Sequence, residues 1–156
     1  RNFGFLEKWW THFFQKGRTG IMFILVSILK GTGKNLILEL LAQHVIGDQY
    51  VATTDKLDTI FQKFNAINVE KALIVSNELQ DASKSAKESN HASEALKSLV
   101  TDRTMTIEKK TIDPITVPST TNYIGTTNNA IPLKIDRDQR RFFVRNVSEH
   151  KKGDRR

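Results

Sequence analysis

Apolar positions change period several times along the chain, and each change marks an element. Over residues 3–15, Phe5, Leu6, Trp9, Trp10, Phe13 and Phe14 recur at helical spacing and form a wide stripe. A helix packing on a core explains that stripe; an aromatic ligand platform is the alternative. The turn "QKGRTG" leads to "IMFILVS", a short apolar run that suits a central parallel strand buried on both faces. It is far too short for the roughly 20 residues that span a bilayer. Arg18 before it faintly resembles the start of a signal peptide, but no cleavage pattern follows. After the loop "ILKGTGK", the stretch "NLILELLAQHVIG" predicts a helix that stops at Gly47.

"TTDKLDTIFQKFNAI" predicts a second helix over 53–67, with Thr54 or Asp55 near its N-cap. "KALIVSNE" predicts a second buried strand ending in a carboxylate. Residues 81–93 are polar and read as a loop or an exposed helical start, and "SEALKSLVTD" as a helix ending near Asp102. In "TMTIEKKTIDPITVP" the period falls to two: Met105 and Ile107 alternate with Thr104, Thr106 and Glu108, and Ile115 and Val117 alternate beyond "KKTIDP". That is a β-hairpin with a basic tip. "TNYIGTTNN" is a third short strand entering an Asn-rich turn, and "RRFFVRNV" a final one. The order predicts an α/β domain with a mainly parallel central sheet flanked by helices. In such sheets ligands bind beyond the carboxyl ends of the strands. The first loop, Glu78 and Asn128 all fall there.

Composition narrows this little. The 156 residues, 38% hydrophobic and 26% charged, suit one globular domain rather than a disordered chain. Residue 1 is Arg, as expected of a fragment or processed chain. The net charge of +7 suits a polyanionic partner, with part of the excess in a basic tail at 149–156. The absence of cysteine excludes disulfides and cysteine-ligated zinc and is compatible with an intracellular setting. His12, His44, His91 and His150 have no metal-ligand spacing.

The candidate chemistry begins in the first loop. The phosphate-binding pattern G-x-x-x-x-G-K-[ST] requires a strand before it and a helix after it. Gly33 and Lys34 fit; the first glycine position holds Ile28 and the Ser/Thr position Asn35. Gly31 and Gly33 permit the tight turn whose N–H groups, with that of Thr32, face phosphates. Lys34 supplies a charge to the β- and γ-phosphates, and the following helix its N-terminal dipole. Ile28 is poorly suited to any position needing φ > 0. Asn35 can offer an oxygen to Mg²⁺ directly or through water. A glycine-rich turn with a solvated lysine is the plainer alternative.

An apolar strand ending in an acid is where phosphoryl-transfer enzymes hold Mg²⁺ and polarise water, so Glu78 is the candidate base and Asn77 a metal-side assistant. An Asn at the tip of a neighbouring strand orients the attacking water or touches the γ-phosphate, and Asn128 is placed for that. Arg140 or Arg141 could stabilise transition-state charge as an arginine finger. Taken singly, each has an ordinary reading as an exposed polar residue.

Together, "KGTGKN", "KALIVSNE", "EALKSLVTDRTMTIEKK", "YIGTTNN" and "DQRRFFV" resemble the superfamily-three helicase domain of phage, plasmid and DNA-virus primase–helicases, the poxvirus-type primase C-terminal group and its phage relatives. The resemblance runs from about Phe5 to Val147, and Ile28 departs from it. It implies a P-loop, AAA+-like fold over 1–148, within a longer replication protein carrying an upstream primase or polymerase domain. It implies a homo-hexamer that hydrolyses ATP with Mg²⁺ while moving on single-stranded DNA, with no membrane role. The setting would be the cytoplasm of a bacterial host or a site of viral or mobile-element replication. By position, Lys34 contacts phosphate, Asn35 and Glu78 serve Mg²⁺ and water, Asn128 senses the γ-phosphate, and Arg141 or Arg140 is the finger. The hairpin would meet DNA through Lys109 and Lys110, with Lys97 on the preceding helix, by salt-sensitive phosphate contact. Two alternatives stand beside this reading: a relic that binds nucleotide or DNA without turnover, and another phosphate-loop enzyme such as a small-molecule kinase. The kinase would need a lid and acceptor pocket for which no segment is evident.

Overall fold

The computed structural model describes residues 3–55, 70–77, 79, 86–109, 112–129, 139–148 and 150. Strand β1 is Met22–Val26, the middle of the apolar run. It lies between two parallel neighbours, β6 (Asn122–Thr127) and β7 (Phe142–Asn146). Beyond β6 come β3 (Leu73–Ser76) and then β2 (Val51–Thr54), giving the order β2-β3-β6-β1-β7 with every pairing parallel. The parallel sheet expected from the element order is therefore present.

Alternation along β1 explains why both faces are apolar. Met22, Ile24 and Val26 enter one core, with Ile74, Leu79, Tyr123 and Phe142. Helix α3 (Ala86–Thr101) covers that face with Leu96 and Val100. Phe23 enters the other core, with Leu73, Val75 and Ile124. That face is covered by α1 (Phe3–Lys16), through Trp9 and Phe13, and by α2 (Lys34–Leu41), through Leu38. The result is a three-layer α/β/α arrangement. The aromatic stripe of α1 is core: Phe5 stacks on Phe143 at 3.9 Å, and Trp9 donates its indole N–H to the Ile21 carbonyl at 2.9 Å. Phe14 is half exposed at its edge.

The start of the strand is tied down by polar groups. Arg18 donates to the Leu99 carbonyl at 2.9 Å and to the Asp102 carbonyl, closing the C-terminal end of α3. Asn122, buried, accepts from the Thr19 backbone N–H at 2.7 Å and so fixes the turn before β1.

Three local expectations change. Residues 51–54 form a strand where a helix is expected to begin; the remainder of the expected 53–67 helix, and with it the cap at Thr54 or Asp55, lies outside the described residues. The helix after Lys34 is α only to Leu41 and continues as a π turn over Ala42–Ile46, ending at Gly47 with φ 98°. Helix α3 begins at Ala86, in keeping with the helical-start alternative for 81–93. The hairpin is present as β4 (Thr104–Lys109) and β5 (Ile112–Pro118), antiparallel, with a bulge between Ile107 and Lys109. Its connection is shorter than "KKTIDP", because residues 112–114 already belong to β5.

Candidate functional site

The loop between β1 and α2 sits at the carboxyl edge of the sheet. Gly31 and Gly33 take φ of 78° and 81°, the left-handed region in which a Cβ is strained. Gly33 serves as the N-cap of α2, and its carbonyl accepts the Ile37 N–H at 3.2 Å. The buried Ser27 hydroxyl donates to the Leu29 carbonyl at 2.7 Å and folds the chain back across Ile28. Ile28 itself turns outward, 67% exposed.

Lys34 is folded inward rather than solvated. It is 8% exposed, and its ammonium donates to the Asn128 side-chain oxygen at 2.7 Å. Burial pushes the Lys34 pKa below the ordinary lysine value. Among the described residues no carboxylate pairs with it. The charge thus has a neutral partner and reduced hydration, a setting that favours an added anion. The cleft above it, about 340 Å³, is lined by Lys30 to Leu36, Thr126 and Asn128. Thr32 Oγ1 is buried there without a hydrogen-bond partner among the described residues.

Asn35 is exposed and borders this cleft and an adjoining one of about 220 Å³, which Asn77 and Thr53 also line. Asn77 Nδ2 donates to Asp55 Oδ1 at 3.4 Å. Asp55 follows β2 and brings a carboxylate beside Asn77; the helix it is expected to cap lies outside the described residues. Hard cations take oxygen donors, commonly one or two carboxylates with water and phosphate oxygens completing the shell. The amide oxygens of Asn35 and Asn77 and the carboxylate of Asp55 fit that donor class. No group of three or more His, Cys, Asp or Glu able to hold a metal occurs among the described residues. Glu78 lies outside them, although both neighbours are anchored: Asn77 N–H donates to the Thr54 carbonyl at 2.8 Å and Leu79 N–H to the Thr126 carbonyl at 2.7 Å.

The remaining candidates lie elsewhere. Arg140 and Arg141 precede β7 at the amino end of the sheet, with Arg141 donating to Gln139 Oε1 at 3.3 Å. Because β7 runs parallel to β1, they stand a strand length, roughly 16 Å, from the loop's edge. Lys97 on α3 pairs with Glu94 at 2.5 Å. Lys109 ends β4 opposite Ile112, and Lys110 lies outside the described residues. Among the described residues no helix is long and apolar enough to cross a membrane.

These features define an α/β domain with a parallel sheet and a glycine-rich, lysine-bearing loop at its carboxyl edge. The chain belongs to the family described as a "Family of unknown function (DUF5906)", whose sequence model matches residues 25–141. It is 27% identical over 145 residues to the DNA primase-polymerase of Nitratiruptor phage NrS-1, covering 92% of this chain and 20% of that protein. The apo structure of the NrS-1 C-terminal region matches with a TM-score of 0.78 at 28% identity, over 92% of this chain and 34% of that one. A second apo form of the same region matches at 0.74 and 27% identity, over 92% and 33%. The chain therefore spans a fifth of the curated relative and a third of the solved region.

Proposed function

We propose that this domain is the ATP-driven motor of a phage or mobile-element DNA replication protein, a P-loop ATPase of AAA+-like build acting on single-stranded DNA. The observation that carries the reading is the Lys34–Asn128 hydrogen bond: the loop lysine and the expected sensor, far apart in sequence, meet over one cleft. The strand order supports it, since β6 lies between the loop strand β1 and the strand β3 that leads to Asn77 and Glu78. The similarity to a phage primase-polymerase supports the replication setting and an upstream primase or polymerase domain.

In this reading the N–H groups around Gly31, Thr32 and Gly33 cradle phosphate oxygens, and the Thr32 hydroxyl gains a partner. Lys34 supplies the positive charge, and the arriving anion offsets its lost hydration. Asn128 holds the ammonium in the cleft and exchanges that contact for the γ-phosphate or the attacking water. Mg²⁺, when bound, neutralises phosphate charge; Asn35, Asn77, Asp55 and Glu78 are the residues that would hold it or its waters. Glu78 is the base. Arg141 or Arg140, remote from its own cleft, serves a neighbouring subunit's cleft in a hexameric ring. Lys109, Lys110 and Lys97 contact DNA phosphates.

The test is ATP hydrolysis with and without single-stranded DNA, comparing the full chain with Lys34→Ala. Turnover that rises with DNA and disappears in the variant supports the motor. Turnover indifferent to Lys34 defeats it. One observation favours a second reading, nucleotide binding without turnover: Ile28 holds the position of the first loop glycine. Its outward side chain leaves the cleft free, so the motor remains the better reading.

A further inference from the structure

The pairing of β3 with β6 stops at Ser76 opposite Gly125 and then resumes. Leu79 rejoins β6 at the very next residue: its N–H donates to the Thr126 carbonyl at 2.7 Å. Its carbonyl accepts from the Thr127 hydroxyl at 2.9 Å. In a regular parallel ladder the Thr126 carbonyl would take the N–H two residues after Ser76; it takes that of Leu79, three after, so β3 carries one extra residue, the arrangement by which bulges redirect side chains near active sites. The Leu79 side chain, fully buried, closes the insertion. It packs so closely on Gly125 that a Cβ there would stand 2.0 Å from Leu79 Cδ1. The same Thr127 hydroxyl accepts the Asn129 N–H at 3.0 Å, tying down the turn that carries Asn128.

We infer that Leu79 and Thr127 are a positioning pair that holds the end of β3, with Asn77, in fixed register to Asn128. The inference rests on reading the cleft as a nucleotide site. Neither residue lines that cleft. One hydroxyl bonds the Leu79 carbonyl on one side and the Asn128 turn on the other, so the two halves of the site move as one body. Loss of the hydroxyl lets them separate while the glycine loop and Lys34 stay in place. Binding should survive, and chemistry, which needs both halves aligned, should not.

The experiment is steady-state ATP hydrolysis by the full chain carrying Thr127→Val or Thr127→Ser, with nucleotide-induced melting shifts in parallel. Thr127→Val is expected to lower kcat by about tenfold or more, the usual range for residues that orient a site's ligands, with KM and melting shift near those of the parent. Thr127→Ser keeps the hydroxyl and is expected to restore kcat. An unchanged kcat in Thr127→Val overturns the inference while leaving the nucleotide reading intact. Equal loss in Thr127→Ser overturns it in favour of simple packing. Should Thr127→Val not fold, Thr127→Ala removes the same hydroxyl: a lower kcat at constant KM supports the inference, and parental kcat overturns it. A parent chain that shows neither melting shift nor turnover removes the nucleotide reading itself, and the inference with it.

Discussion

Lys34 and Asn128, from the loop after β1 and the turn after β6, share a hydrogen bond of 2.7 Å at the carboxyl edge of a parallel sheet. An ammonium is thereby held where water is scarce and where Lys30 to Leu36 curve around a cleft. On the proposed nucleotide reading, such a charge is an unfavourable tenant of the empty cleft and a favourable one once a polyanion arrives.

That asymmetry gives the first prediction. The Lys34 pKa is lowered by burial. A lysine with a depressed folded pKa penalises folding while charged, and the penalty fades as pH rises through the folded value toward the unfolded one. Lys34→Met removes both the penalty and the bond to Asn128. The nucleotide-free variant should melt within about 3 °C of the parent, a change of roughly 1 kcal/mol or less, and should lose the ATP-induced shift. Differential scanning calorimetry with and without ATP checks both.

Gly125→Ala tests the close approach of β6 to Leu79. The added methyl would stand 2.0 Å from Leu79 Cδ1 and 3.0 Å from Met22 Cε. Overpacking of this kind costs about 1–3 kcal/mol. Leu79→Ala in the Gly125→Ala background should destabilise less than the sum of the two single changes, because the clash and its cause are removed together. Urea unfolding of the three variants measures the coupling; strict additivity would contradict it.

Tyr123 sets an alkaline limit. Burial pushes its phenol up to about 12, against the opposing charge of Arg18. A raised folded pKa contributes stability that is complete below the unfolded value near 10 and is lost as pH climbs toward about 12. About two pKa units correspond to about 3 kcal/mol. Stability should therefore fall between those pH values in the parent, and Tyr123→Phe should flatten that slope. Chemical denaturation across the range distinguishes the two curves.

Charge removal on the hairpin should act on DNA in proportion to salt. Each phosphate contact on single strands contributes about 0.7 to the slope of log K against log salt. Lys109→Gln with Lys110→Gln should reduce that slope by about 1.4. Lys97→Gln should change it less, because Glu94 already engages that ammonium. Fluorescence anisotropy at a series of salt concentrations reads each slope, and a change in Lys97→Gln as large as half that of the double variant would contradict the ordering.

The parts of this molecule that announce themselves in sequence are those where one physical demand dominates. β1 must be apolar on both faces, the loop needs two left-handed glycines, and the hairpin alternates over enough residues to reveal its period. The meeting of Lys34 with Asn128 followed from the rule that ligands gather beyond the strand ends. β2 was missed because four residues, Val-Ala-Thr-Thr, are too few to show a period, and Thr serves helix caps as readily as edge strands. The staple left one trace, an isolated glycine inside a strand, which signals a close backbone approach without naming what approaches. Arg140 and Arg141 are recognisable as residues, but their distance from the loop emerges only once β7 is seen to run parallel to β1.

The strand that carries the loop is made early and completed late. Met22–Val26 can form its ladders only with Asn122–Thr127 and Phe142–Asn146. At ordinary synthesis speeds those partners follow on the order of ten seconds later. Until then its five apolar residues have no sheet to join, and non-local pairing of this kind is intrinsically slow. The nascent chain must therefore shelter this apolar segment, with the α1 aromatics as the nearest cover, until Phe142–Asn146 has been made.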